Sequence, residues 1–132
     1  MGYHKRVPQK KFNVRPDNRP RRVQWAREHL SWTYEEWKRV LWTDESSFST
    51  AGFGHRPWVI RSPDLNLIEA LWGDLEVELG QIWGRVSDPE ALEAAVKAAW
   101  DSITEERLEE LIRSMPARLQ AVIDTDGHPT PY

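Results

Sequence analysis

The chain has 132 residues, 39% hydrophobic and 30% charged, which suits one soluble globular domain and argues against a disordered chain. It has no cysteine, so disulfides and thiolate metal sites are excluded, and any metal must take carboxylate, imidazole or carbonyl ligands. No apolar run approaches the ~20 residues that span a bilayer, and the basic opening is not followed by the apolar segment of a secretory leader. An intracellular protein without a membrane partner is expected.

The net charge of −3 conceals a polarity: residues 1–42 hold 11 Lys+Arg against 4 Asp+Glu, and residues 43–132 hold 7 against 17. Residues 1–19 form a Pro-interrupted basic arm, with residues 20–132 as the folded unit. Lys5, Arg6, Lys10, Lys11, Arg15 and Arg19, with Arg21 and Arg22 just beyond, are candidates for contacts to phosphate backbone. The alternative is an arm that docks on its own acidic body.

Pro20 is placed to open a helix running to about Leu30, with Val23, Ala26 and Leu30 on its inner side. Thr33 and Glu36 have capping-box spacing for a short helix over Tyr34–Arg39, which sets Trp37 near Trp32. Val40 to Thr50 reads as a strand, Ala51 to Gly54 as a turn, and His55 to Ile60 as a second strand, an antiparallel hairpin. Trp42, Asp44, Ser46 and Phe48 would share one face of the first strand. A carboxylate there needs a partner, either nearby backbone, an arginine or a cation.

Asp64 or Asn66 is suited to cap a helix over Leu67 to Leu79, whose apolar stripe is Ile68, Leu71, Trp72, Leu75 and Leu79. Glu69 borders that stripe, and Gly73 inside the helix suggests close approach of another element. Ser87, Pro89 and Glu90 signal the start of a helix with Leu92, Ala95, Val96, Ala99 and Ile103 inward. Thr104 opens another, with Leu108, Leu111 and Ile112 inward. Pro116 starts a last one carrying Leu119, Val122 and Ile123, which ends near Gly127.

Two carboxylates on separate elements, Asp44 and Glu69, can converge on a hard divalent cation. The words around them are more specific. Trp-Thr-Asp-Glu-Ser-Ser-Phe at 42–48 resembles the first catalytic block of Tc/mariner transposases. Ser-Pro-Asp-Leu-Asn-Leu-Ile-Glu at 62–69, continuing Ala-Leu-Trp-Gly-Asp-Leu, resembles their third block, with Leu67 where proline is usual. Residues 22–37 resemble the segment before the first block. Residues 114–123, with the Gly-His and final Tyr that follow, resemble the C-terminal end. The piece from Ser49 to Val59 is similar to fungal members.

The resemblance implies a ribonuclease-H-like domain with an Asp, Asp, Asp-or-Glu triad that holds two Mg²⁺ or Mn²⁺ and performs DNA cleavage and strand transfer in the nucleus. By resemblance Asp44 takes the first triad position and Glu69 the third, both as metal ligands. The second block, with its Asp, has no counterpart between them, and neither does the N-terminal helix-turn-helix ahead of them. The expected fold is therefore a helix-rich α+β remnant, a β-hairpin packed by about five helices. The expected function is that of a transposase-derived protein whose cleavage activity is lost. The alternatives are a non-catalytic protein binding DNA or a full-length transposase, with a homodimer also in view, and a relic without function.

Overall fold

Helices begin where the sequence supplies a cap or a proline. The computed structural model describes residues 13–45, 64–80 and 88–132. A 3-10 turn at Pro16–Asn18 leads into α1, Arg19–His29, which has Pro20 in its first turn and Arg27 and His29 at its negative end. In α2, Tyr34–Lys38, the capping box is complete. The Thr33 amide donates to Glu36 Oε2 at 2.6 Å, and the Glu36 amide donates to Thr33 Oγ1 at 3.4 Å. The Thr33 amide first, and then the Thr33 hydroxyl, which donates to Glu36 Oε2 at 2.8 Å, hold the Glu36 carboxyl below the usual carboxylate range.

Helix α3 spans Ile68–Gly80, α4 Pro89–Asp101, α5 Glu105–Arg113 and α6 Met115–Asp124. Asp88 caps α4 through the Ala91 amide, and Thr104 caps α5 through the Arg107 amide. The α4 cap thus lies one residue beyond Ser87, which is outside the described residues, and Glu90 is not its capping-box partner. Helix α6 starts one residue before Pro116.

A five-residue helix such as α2 is unstable alone, because so few hydrogen bonds cannot offset nucleation. Trp37 anchors it: the ring is 2% exposed and lies within 4.7 Å of Trp32, 6.0 Å of Trp42 and 6.1 Å of Trp25, centroid to centroid. Around it Ala26, Leu67, Ile68, Leu71, Leu111, Met115, Leu119 and Val122 close the main core. Helix α1 lies along α6, α2 on α5, and α5 on α6. Leu75 and Leu79 of α3 meet Ala99 of α4 in a second cluster, extended by the Trp72–Trp100 ring contact. Truncating a large side chain in the main core costs about 3–5 kcal/mol.

Several expectations are corrected. Residues 40–45 form no strand, and no strand occurs among the described residues; the rest of the expected hairpin, to Ile60, lies outside them. Six helices, rather than about five, occur among the described residues. Leu30 and Leu108, expected inward, are exposed, because α1 and α5 each bury a narrower stripe than the spacing suggests. An added Cβ at Gly73 meets no atom of the described residues within 4 Å, so no described element approaches closely there. No helix among the described residues is long and apolar enough to cross a membrane.

Where α6 ends, Gly127 N–H donates to the Val122 carbonyl at 2.9 Å and Asp126 N–H to the Ile123 carbonyl at 3.0 Å, a Schellman closure. Asp126 and Gly127 both have positive φ, 51° and 76°. A Cβ on Gly127 would stand 2.4 Å from the Arg19 carbonyl oxygen, so α1 rests directly on this turn.

Gly127→Ala is expected to destabilise the fold by about 2–4 kcal/mol, through the left-handed backbone and the collision together. Gly73→Ala is expected to stabilise it by about 0.5–1 kcal/mol, since only helix propensity changes. Thermal unfolding followed by circular dichroism checks both signs; a neutral Gly127→Ala contradicts the packing described.

Candidate metal centre

Trp42 stacks against Trp37 with its ring half-buried, and this fixes the extended segment 40–45 on the core. Two residues on, Asp44 is exposed, not enclosed between aromatics as the shared strand face predicts. On the other side, buried Leu67, Ile68 and Leu71 seat the start of α3 in the same core. This leaves Glu69 half-buried at the helix border. Asn66 joins the two pieces: its Nδ2 donates to the Thr43 carbonyl at 3.3 Å, so it is a tether.

Across that tether the Asp44 and Glu69 carboxyls share a hydrogen bond, and Asp44 also accepts the Glu45 amide at 2.8 Å. The Glu69 bond, foremost, and the Glu45 bond hold Asp44 below the usual carboxylate range. Two ionised carboxylates in contact repel. The pair is held together only by a shared proton or by a cation in its place.

Two carboxylates are hard oxygen donors of the type a divalent cation takes, with water completing its coordination. The pair does not supply the bridging carboxylate plus further ligand on each ion that a two-metal centre needs. Among the described residues there is no group of three or more His, Cys, Asp or Glu placed to hold a metal. Asp64 and Asp74, the acidic residues that flank Glu69 in sequence, are engaged elsewhere. Asp74 is paired with Arg107, Nε to Oδ2 at 2.7 Å, and this bond, with help from Glu110, raises the Arg107 pKa.

Asp64 is the larger surprise. It does not cap α3; it is 6% exposed and paired with Arg22. Arg22 places one guanidinium nitrogen 2.7 and 2.8 Å from its two oxygens, and the Thr130 amide donates to Oδ2 at 3.0 Å. Arg118, also buried, donates to the Asp64 backbone carbonyl at 2.9 Å and lies over the Tyr132 ring. Burial pulls the Arg118 guanidinium below the usual arginine range, opposed by the charges of Tyr132 and Asp64. No local pattern signals this use of Asp64, because its partners lie 42, 54 and 66 residues away.

Of the candidate DNA-contact residues, Lys5, Arg6, Lys10 and Lys11 lie outside the described residues. Arg15 and Arg21 are exposed, and Arg19 Nε is turned to the Val14 carbonyl at 3.3 Å. Arg22 is committed inward, its Nε also meeting the Gly127 carbonyl at 3.1 Å. Arg15 and Arg21 border a cleft of about 620 Å³ with Asn13, Asn18, Leu65 and the part-exposed ring of Trp25.

The chain is similar to the Tc1 transposase of Caenorhabditis elegans, 26% identical over 231 residues that take in 99% of this chain and 84% of the relative. The Tcb1 transposase of Caenorhabditis briggsae matches to the same extent. The Tc3 transposase of Caenorhabditis elegans is 42% identical over 76 residues, 57% of this chain and 23% of the relative. A matched span of 231 residues against a chain of 132 leaves at least 99 positions of the Tc1 span with no counterpart here. No family model and no solved structure matches.

Asp44 is expected to titrate below an ordinary aspartate, with its ~3.9 reference value. A carboxyl depressed in the fold adds stability above the unfolded value and loses it as pH falls through the folded one. Side-chain carbon NMR should show this depression relaxing toward the reference value in Glu69→Ala. An unchanged Asp44 titration contradicts the shared bond.

Proposed function

The chain is a transposase-derived protein of the Tc/mariner type, and on that premise we propose that it keeps half of a ribonuclease-H-like metal centre without cleaving DNA. The hydrogen-bonded meeting of Asp44 and Glu69 supports this reading above all. These two residues would hold a single Mg²⁺ or Mn²⁺. When bound, such an ion supplies Lewis-acid polarisation of a phosphate oxygen. Asp44 orients its carboxylate through the Glu45 amide, and Glu69 faces it from the rigid first turn of α3. Stabilising both the attacking and the leaving oxygen of a phosphodiester calls for a second ion and a further carboxylate. Asp64 and Asp74, spent on Arg22 and Arg107, do not provide one.

The protein is expected to bind about one Mn²⁺, read by electron paramagnetic resonance, and to lose it in Asp44→Asn. Supercoiled plasmid in Mn²⁺ should be nicked no faster by the parent than by that variant. Nicking that depends on Asp44 would overturn the inactive reading, and equal Mn²⁺ binding by the two proteins would remove the metal centre.

A second reading, that the protein binds DNA, is favoured by the cleft bordered by Arg15, Arg21 and Trp25. Two cations there suit phosphates, Asn13 and Asn18 suit phosphate or sugar oxygens, and Trp25, backed by the His29 ring at 4.2 Å, offers an apolar face. On this reading the nucleus is the working compartment. A second copy or a full-length transposase are the further partners. Replacing Arg15 and Arg21 with Gln should reduce the slope of log affinity against log salt by about 0.9 for each cation lost. An unchanged slope in duplex DNA titrations would exclude the cleft.

A further inference from the structure

We infer that Asp64, through Arg22, is the positioning residue of the Asp44–Glu69 pair: it sets where the first turn of α3 stands, and hence how Glu69 meets Asp44. The inference rests on the reading of that pair as a cation site and concerns a different residue, buried and remote from the ion.

Asp64 begins the turn that becomes α3, and Glu69 follows in the first helical turn. Between them Leu67 and Ile68 are buried, so the turn has no freedom to slide without disturbing the core. Its direction is set at the Asp64 end. The carboxylate is clasped by one nitrogen of Arg22 on α1 and by the Thr130 amide of the C-terminal tail. The carbonyl of the same residue is held by Arg118 on α6. Arg22 is itself fixed by the Gly127 carbonyl, in the turn on which α1 rests. Three separate elements therefore fix one residue, and the polypeptide leaves it directly for Glu69. On the far side the Asn66–Thr43 bond joins the entry to α3 to the segment bearing Asp44. A shift at Asp64 passes to Glu69 without passing to Asp44, which is anchored independently through Trp42 on Trp37.

The chemistry of the clasp makes the idea selective. A single Arg22 nitrogen contacts both Asp64 oxygens, so a lysine ammonium can reproduce that contact, whereas methionine cannot. Asp74, on the same helix but paired at the surface with Arg107, controls for loss of an α3 ion pair as such.

The test is the dissociation constant for Mn²⁺ alone, measured on the full chain at a temperature where circular dichroism shows each variant folded. Supporting groups behind metal ligands are typically worth about 10–100-fold in metal affinity. Arg22→Met and Asp64→Asn should therefore weaken Mn²⁺ binding about tenfold, Arg22→Lys by less than about threefold, and Asp74→Asn not measurably. Thr130→Pro removes the amide donated to Asp64, together with the Thr130 hydroxyl that accepts the Tyr132 amide, and leaves Arg22 and Asp64 in place. It keeps the inference falsifiable where Arg22→Met or Asp64→Asn does not fold, with a loss of about threefold expected. A clasp that merely stabilises the fold would lower the melting temperature of these variants and leave their Mn²⁺ affinity at the parent value. That result overturns the inference while the cation site stands. A parent protein that binds no Mn²⁺ overturns both.

Discussion

The buried Asp64 carboxylate is the constraint from which the arrangement of the other elements follows. A charge at 6% exposure is costly unless it is matched, and Arg22 and the Thr130 amide match it from opposite ends of the chain. Such a pair adds little over well-packed apolar residues of the same volume, but losing one partner costs about 3–5 kcal/mol, because the other stays buried and uncompensated. It therefore penalises any packing in which α1, the start of α3 and the tail do not meet. Arg118 reinforces the same point through the Asp64 carbonyl, which brings α6 into the set. The close rest of α1 on Gly127 is the steric counterpart of that electrostatic demand.

The second organising feature is aromatic. Trp37 sits at the centre of rings from α1, the following turn and the segment leading to Asp44, with His29 against the outer side. Large flat side chains cover much surface with few rotatable bonds, which suits a chain in which short helices must be held by their neighbours. The indole Nε1–H groups of Trp37 and Trp42 are buried and meet no acceptor among the described residues. Shape, not hydrogen bonding, holds these rings in place.

These two features leave the carboxylate pair at a seam. Asp44 belongs to the aromatic side and Glu69 to the side governed by Asp64, with Asn66 bridging them. A seam between two independently anchored pieces is a sound place for a ligand that both sides must grip. The Tc1 relative carries at least 99 positions more over the matched span, and here two carboxylates meet with no third beside them among the described residues.

Local chemistry was legible from the sequence. The Thr33–Glu36 capping box, the Thr104 cap, the prolines opening α1 and α4, and the buried stripe of α3 all depend on neighbours within a turn or two. The motif words around Asp44 and Glu69 likewise mark both residues from neighbours in the sequence. Tertiary structure alone decided what those residues do. Asp64 and Asn66 both read as caps of α3, yet one is a buried counter-ion and the other a tether. Arg22 read as one more cation of a basic arm and is instead a strut. Gly73 read as a contact point and has open space, while the contact falls at Gly127. The physical reason is common to all of these. A cap is chosen by backbone a few residues away, whereas the partner of a buried charge or of a bare glycine is chosen by whichever distant element packing brings against it.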